Sequence, residues 1–202
     1  MTASPLISKS RLEALTDGVY AVALTLLALD LKLGALPEPA VASLGAALAA
    51  LLPKALVWAL SFWVGALFWL AQNRVLRQYE GLDRPAALIE LVQLALITLL
   101  PFSTSVIGEH GATGIAALLY SLHLSALAAL SLARVQRLRR HPSLRSPTEF
   151  DAVANDLQRR RAAALFACAL MAAALAWWLP GWNMFALLGI LLRRPAERIA
   201  RG

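Results

Sequence analysis

Charged residues, cysteine and histidine are scarce in this chain of 202 residues, and each scarcity excludes some classes of protein. Asp, Glu, Lys and Arg make up 15% of the residues, against about 25% in an average soluble domain. Cys168 is the single cysteine, so no internal disulfide forms, and we expect it to be a small buried hydrophobe. His110 and His123 lack a second ligand at metal-binding spacing, and the sequence has no nucleotide-binding loop or nucleophile elbow. We therefore expect no enzyme, no cofactor and no resident metal ion.

Apolar residues are abundant instead. They make up 59% of the chain, and the mean hydropathy is +0.64. Leucine and alanine occur in long runs, which is the composition of segments that span lipid. The first run does not look like a signal peptide, because it starts behind Arg11, has no small-residue cleavage site and ends in Asp30-Leu-Lys32.

The apolar runs predict an all-α, polytopic membrane protein that forms a single domain over residues 1–202. Six transmembrane helices are expected, at about 12–33, 53–73, 85–107, 112–133, 162–179 and 181–192. The last segment is short, so it either packs inside the protein or continues past the membrane. A further stretch, 39–52, is too short to span and either lies near the outer surface or leads into the second span. Three prolines bound it: Pro37, Pro39 and Pro53.

The net charge of +7 indicates topology rather than nucleic-acid binding, because the basic residues fall between apolar runs without interleaved aromatics. With six spans both termini lie on one side, and by the positive-inside rule that side is the cytoplasm. Lys32 and Lys54 remain on the other side. The expected cytoplasmic residues are Lys9, Arg11, Arg74, Arg77, Arg84, Arg134, Arg137, Arg139, Arg140, Arg145, Arg159, Arg160, Arg161, Arg193, Arg194, Arg198 and Arg201.

The segment 134–161 contains eight arginines and is interrupted at His141-Pro142 and Ser146-Pro147. Such a run favours a solvated cytoplasmic linker near anionic headgroups over a nucleic-acid site.

The first apolar helix carries an arginine and an aspartate at membrane depth, where charges are costly and usually have a function. At about 100° per residue, Val22, Leu26 and Leu29 share one stripe, with Thr25 at its edge. Periodicity alone favours ordinary helix packing for this stripe. A hydrophobic constriction with a single hydroxyl is the alternative.

Asp17 projects to the opposite side of that helix. It either complements the helix dipole at headgroup level or anchors the helix by pairing with polar groups of the second and third spans. If Glu90 joins it, a basic residue such as Arg11 or protonation is required, because two adjacent carboxylates do not both stay ionised. The candidate partners are Gln72, Asn73, Glu90 and Gln93.

The first helix also carries a motif that resembles the signature of the transmembrane protein 175 family. That signature reads R-x-x-x-F-S-D, then an apolar run that ends in an acid. The corresponding residues are Arg11-x-x-x-Leu15-Thr16-Asp17, followed by the run to Asp30. The similarity continues through L-P-K-A-L-V-W-A-L-S-F at 52–62 and resumes at L-P-F-S-T, residues 100–104.

This resemblance implies a potassium-preferring passive cation channel in a bacterial cell membrane. It implies a homotetramer with six helices per subunit, whose first helix lines the central pore; potassium ions and lipid would be its other partners. Val22, Leu26 and Leu29 would form apolar gate rings, and Thr25 would be the hydroxyl layer that prefers potassium. The T-V-G-Y-G filter of other potassium channels does not occur.

The resemblance further implies a network that braces the pore helix near the cytoplasm. Its members would be Arg11, Thr16, Asp17, Gln72, Asn73 and Glu90. Three positions depart from the family pattern: the F-S of F-S-D is Leu15-Thr16, a second-helix histidine is Gln72 or Asn73, and a third-helix asparagine is Glu90.

Two further points remain open from the sequence. Asp30, with Glu109, either attracts cations to the outer mouth of the pore or serves headgroup-level solubility. A proton- or ion-coupled secondary transporter that uses Asp17 and Glu90 as carriers is the alternative function. Against it, the sequence has no visible inverted repeat and no glycine-broken helices.

Overall fold

The computed structural model describes residues 8–33 and 40–176, and its elements there are helices, as the composition predicts. Short 3-10 turns follow α1 and α5. Successive spans alternate in direction, so α1, α3 and α6 begin at the end of the bundle where α2 and α5 finish. We call this the basic end and the opposite one the far end. The helices are α1 Lys9–Leu26, α2 Ala40–Arg77, α3 Arg84–Thr98, α4 Leu100–His110, α5 Gly114–Arg140 and α6 Ala152–Leu175.

Within the described residues, four helical segments are long and apolar enough to cross a membrane: Lys9–Asp30, Leu44–Arg77, Arg84–His110 and Gly114–Arg140. They correspond to the first four predicted spans. α6 contains most of the predicted fifth span, but its first turns carry Asp156 and three arginines. The predicted sixth span, 181–192, and residues 177–179 of the fifth lie outside the described residues.

The stretch 39–52 is not a separate helix. α2 runs without interruption from Ala40 to Arg77 and contains Pro53 in its interior. The prediction that Pro53 bounds a short helix is therefore wrong, and the alternative, that the stretch leads into the second span, is correct. A proline removes one backbone hydrogen bond but does not end a helix when its surroundings hold the chain straight enough to continue.

The predicted third span is divided at Leu99 into α3 and α4. Pro101 has no amide hydrogen and crowds the carbonyl of Ile97, so regular bonding fails here. The Leu99 amide turns back to the Leu96 carbonyl at 3.0 Å, and His123 Nε2 of α5 donates to that same carbonyl at 3.0 Å. The break is thus compensated by a side chain of the neighbouring helix.

Close approach between α1, α2 and α4 depends on one glycine. A Cβ built on Gly65 would lie 2.6 Å from Leu24 Cδ2 and 3.1 Å from Leu100 Cδ2. A larger residue at this position would require the end of the Leu24 side chain to move. Gly65 therefore leaves room for the ends of these two leucine side chains between the helices.

The buried side chains form two clusters. The larger one lies in the middle of the bundle and contains residues of all six helices, among them Tyr20, Phe68, Ile97 and Tyr120. The smaller one lies at the basic end, around Tyr79. Its members are Leu12, Val75, Leu76, Tyr79, Leu82, Ala86, Val135 and Leu138.

The segment 134–161 is not a linker along its whole length, so this expectation is wrong for its two helical ends, while most of the connection between them is exposed. α5 continues to Arg140 and α6 begins at Ala152, so only residues 141–151 connect them. This connection is docked on the α2–α3 connection: the Ser146 amide donates to the Gln78 carbonyl at 2.9 Å, and the Glu80 amide donates to the Leu144 carbonyl at 2.9 Å. The backbone bonds and the apolar cluster beneath them hold the basic residues in place.

Asp83 fastens α3 to α5 at this end. Its side chain caps α3 by accepting from the Ala86 amide at 3.0 Å and forms two contacts with the Arg137 guanidinium. That guanidinium is the main reason why the pKa of the Asp83 carboxyl is below its ordinary value. A lowered pKa in the folded state means that the charge adds stability above about pH 4, the unfolded pKa. The contribution is lost as the pH falls through the lower, folded pKa.

We expect Asp83→Asn, which keeps the cap and removes the charge, to lose up to about 1 kcal/mol of stability at pH 7. Asp83→Ala should lose about 1 kcal/mol more, because asparagine caps a helix and alanine does not. Thermal unfolding in detergent at pH 7 and below pH 4 measures both. The gap between wild type and Asp83→Asn should close in acid. Asp151→Asn, which alters the acidic cap of α6, is the control; an equal loss there would contradict the role of Arg137.

Candidate pore helix and its supporting network

α1 presents two different faces. Leu12, Thr16, Tyr20 and Ala23 are buried against the other helices. The predicted apolar stripe lies on the other side of the helix and is exposed in the single chain. Its exposed fractions are Val22 58%, Leu26 43% and Leu29 63%. Among residues 8–33 and 40–176, no helix therefore covers this stripe fully.

Small residues accompany the exposed stripe. Thr25 is exposed, and its hydroxyl donates to the Val22 carbonyl at 2.8 Å. Gly18 is also exposed, and a Cβ added there would meet nothing within 4 Å. Ala14 and Ala21 are also exposed, at the edge of this side. Small side chains allow close contact between helices in lipid, so this face is suited to meeting another helix.

Two of the predicted bracing residues, Asp17 and Asn73, line a cleft between α1 and α2 at the basic end. Asp17 is exposed, and its Oδ1 accepts from the Trp69 indole nitrogen at 2.8 Å. It lines the cleft together with Asn73, which is half-buried. Arg11 is exposed, whereas Thr16 is fully buried. The partner that the structure gives Asp17 is Trp69, rather than one of the four candidates proposed from the sequence.

Three of the candidate partners, Gln72, Glu90 and Gln93, belong to a separate, buried network. Gln72 Nε2 donates to Glu90 Oε2 at 2.7 Å, and Tyr20 donates its hydroxyl hydrogen to Gln72 Oε1 at 2.9 Å. Tyr20 thus provides the contact from α1 that was expected of Asp17. The positive charge beside Glu90 comes from Arg134 Nη1, at 3.3 Å, and not from Arg11.

Arg134 and Tyr20 were missed by the sequence analysis. Arg134 was counted among the cytoplasmic arginines, although it is 2% exposed. A signal for it exists, because Leu127, Ser131 and Arg134 follow one another at helical spacing and all three are buried. The predicted fourth span ended at residue 133, so Arg134 was not recognised as the next residue of the buried face of this helix.

The far end carries a cluster of opposite charges. Lys54 Nζ lies 3.3 Å from Asp30 Oδ2 and 3.1 Å from Glu109 Oε1. The hydroxyl of Ser105 donates to Asp30 Oδ1 at 2.9 Å. One lysine against two carboxylates leaves a formal charge of −1 on this cluster. No group of three or more His, Cys, Asp or Glu residues within 8–33 and 40–176 is arranged to hold a metal ion.

Comparison with known proteins shows which family the chain resembles. A family model described as the endosomal/lysosomal potassium channel TMEM175 matches residues 11–101, which include the exposed stripe, Asp17, Trp69, Gln72 and Glu90. This part of the chain is similar to the TMEM175 family. The family model and a bacterial relative are described as potassium channels, so the similarity is to ion channels rather than to enzymes, in agreement with the prediction from the sequence. Arg134 lies outside the segment that matches the TMEM175 model.

Bacterial and human relatives each match about half of the chain. A protein of Streptomyces collinus that is named as a potassium channel is 33% identical over 122 residues, 58% of each chain. A human TMEM175 protein, named as a proton channel, is 35% identical over 103 residues, 48% of this chain and 20% of the relative. The chain therefore matches about half to three fifths of the bacterial relatives' length and a fifth of the human one.

The fold is shared with a solved structure. A crystal structure described as a lysosomal potassium-selective channel TMEM175 homolog from Chamaesiphon minutus superposes with a TM-score of 0.77. The superposition covers 92% of this chain and 97% of that one, at 23% sequence identity. The TMEM175 fold thus extends well beyond the residues that match the family model.

The contact between Asp17 and Trp69 leads to a prediction for the stability of Asp17 variants. Asp17→Ala removes the acceptor of the indole N–H and should cost about 1 kcal/mol of stability. Asp17→Asn keeps an oxygen acceptor at the same place and should remain close to wild type. Thermal unfolding of the detergent-solubilised protein compares the two. If Asp17→Asn is as unstable as Asp17→Ala, the charge of Asp17 matters and the indole contact does not account for its role.

Proposed function

We propose that this chain is the subunit of a homotetrameric, potassium-preferring passive cation channel. Six helices per subunit would cross a bacterial plasma membrane with both termini in the cytoplasm, and residues 1–202 would form one channel domain. The first helix of each subunit would line the central pore. The observation that carries the proposal is the exposed face of α1, where apolar side chains and one hydroxyl are uncovered in the single chain.

Lipid contact is the competing explanation for this face. The exposed face of α2 is the one that resembles a lipid-facing surface, since it carries bulky side chains such as Leu56, Phe62 and Trp63. The face of α1 instead carries no aromatic side chain and combines Val22 and three leucines with Gly18 and Thr25. Such a surface favours close contact among four copies of one helix over contact with acyl chains.

In the proposed pore, Val22, Leu26 and Leu29 form stacked apolar rings. These rings impose a desolvation barrier on a partly dehydrated ion and open by wetting or by helix movement. Thr25 lies one turn from Leu29 and adds a ring of hydroxyl oxygens, a weak cation site between apolar layers. The names of two bacterial relatives as potassium channels support potassium as the permeating ion.

The brace proposed for the pore helix has two parts. Gln72 and Glu90 act through the buried network, and Asp17 acts through Trp69. Arg11, Thr16 and Asn73 complete the brace, as the family resemblance implies. The buried part depends on hydrogen bonds inside the bundle, so it resists changes in salt more than the exposed part does.

A coupled transporter that uses Asp17 and Glu90 as proton or ion carriers is less well supported. Glu90 is 1% exposed and ion-paired with Arg134, so it faces no path that an ion can follow. Asp17 belongs to a different contact. The two carboxylates therefore do not form one relay among the described contacts.

Reversal potentials in potassium and sodium gradients on the reconstituted protein test the proposal. We expect the potential to follow the potassium gradient without a proton gradient, and Thr25→Val to reduce the preference for potassium over sodium. Leu26→Ala should raise conductance by widening a ring. Leu88→Ala on α3, where the side chain is 49% exposed, is the matched control and should leave conductance unchanged. Obligatory proton coupling, or a complex that does not contain four chains, would refute the channel.

The charge of the far-end cluster leads to a separate prediction. If Asp30 attracts cations to the outer mouth, Lys54→Gln should raise inward cation conductance, because the cluster then carries −2 instead of −1. Asp30→Asn should lower it. Both effects should fade near 1 M salt, where the Debye length is about 3 Å. Lys32→Gln, at an exposed lysine outside the cluster, is the control, and an equal change there would assign the effect to general surface charge.

A further inference from the structure

A chain of hydrogen bonds runs from the pore helix to a buried ion pair. Tyr20 of α1 donates to Gln72 of α2, and Gln72 donates to Glu90 of α3. Each of these three side chains is at most 1% exposed. The amide of Gln72 can serve both neighbours in one orientation only, with its oxygen toward Tyr20 and its nitrogen toward Glu90. Its orientation therefore depends on an acceptor at Glu90.

Arg134 of α5 supplies the charge that keeps such an acceptor in an apolar bundle. Its Nη1 is 3.3 Å from Glu90 Oε2, and its Nη2 donates to Gln93 Oε1 at 2.9 Å. Glu90 Oε1 and Arg134 Nε have no partner among the described residues. The two charged groups thus share a single contact. Glu90 also accepts from Gln72 of α2, and Arg134 also donates to Gln93 of α3. The pair therefore connects α2, α3 and α5.

The same network returns to α1 at a second place. The hydroxyl of Tyr79 donates to the Arg134 carbonyl at 3.0 Å, and Lys9 Nζ donates to the Tyr79 carbonyl at 2.8 Å. Lys9 and Tyr20 are eleven residues apart, which is about 16 Å along the helix and only about 20° around it. Both attachments are therefore on one side of α1, roughly opposite Val22. Two points on one side of a rigid helix fix its rotation and its tilt.

We propose that the Glu90–Arg134 pair is the positioning element of the pore helix. It holds α1, through Gln72 and Tyr20, in the rotation that turns its apolar stripe away from its own subunit. The attachment through Tyr79 and Lys9 starts from the main-chain carbonyl of Arg134 and supports the same side of α1. Arg134 is thereby a positioning residue on a helix that does not line the pore. The effect on permeation rests on the proposed channel function; the effect on helix rotation does not.

Spin-label distances test the rotation directly. One label at Leu15→Cys on α1 and one at Leu122→Cys on α5, in a Cys168→Ala background, report the setting of α1 within a subunit when labelled chains are diluted with unlabelled ones. The variants are Tyr20→Phe, which removes one hydroxyl and no charge, and the double replacement Glu90→Gln with Arg134→Met, which leaves no unpaired charge. The control is Asp83→Asn with Arg137→Gln, an ion pair outside this network.

We expect both network variants to shift or broaden the α1–α5 distance in the same way, and their combination to add nothing further. The control should keep the wild-type distance. Unchanged distances in the Glu90/Arg134 variant, or an equal shift in the control, would overturn the proposal. Tyr20→Phe keeps every charge, so its α1–α5 distance tests the proposal if the double replacement fails to assemble.

Potassium flux from the same liposome-reconstituted variants separates this proposal from the channel function. Tyr20→Phe and the double replacement should each change flux by about fivefold or more, with a combined effect no larger than either alone, as expected of residues in one network. Shifted distances with unchanged flux would support the positioning role and refute α1 as the pore helix. Changed flux with unchanged distances would overturn the positioning role.

Discussion

Glu90 and Arg134 meet inside a bundle of apolar helices, where neither charge is hydrated. Taking two charges out of water is costly, and the cost is offset only if the charges meet each other and if other groups satisfy their remaining atoms. This requirement draws α3 and α5 together and recruits the amides of Gln72 and Gln93. Tyr20 follows, because a buried hydroxyl also needs an acceptor. The setting of α1 is thus a consequence of how one ion pair is accommodated two helices away.

The two faces of α1 differ because buried polar groups need partners. The face that carries Tyr20 is held by hydrogen bonds and by close packing, which Gly65 permits. The face that carries Val22 and Leu26 is uncovered, and its small neighbouring side chains leave room for a second helix. Polar contacts within the subunit thereby release the plain apolar side of the helix for contacts outside it. The contacts of the polar face explain why the apolar stripe is exposed, and that exposure is what supports a role for the stripe in permeation.

Local features of the chain were predictable where one physical property decided them. Helix class and the first four spans follow from long apolar runs, and helical periodicity says which residues share the stripe around Val22, although by itself it favoured packing of that stripe over exposure. Contacts between elements were harder to predict. Asp17 and Tyr20 lie on the same side of α1, and periodicity does not say which of them reaches Gln72. Pro53 was read as a boundary because local rules describe a proline in water, whereas in the bundle the helix continues through it.

The amino-acid sequence by itself determined that the chain is an all-α membrane protein, which residues form the apolar stripe, and to which family the motif around Asp17 points. These properties depend on composition and on spacing along one helix, so no knowledge of neighbours is needed. Only the tertiary structure decided that Arg134 is buried beside Glu90, that Trp69 is the partner of Asp17, and that the segment between α5 and α6 is docked. Each of these contacts joins residues far apart in the chain. A charge in hydrocarbon is stable only beside a suitable partner, and the fold determines which residue that partner is.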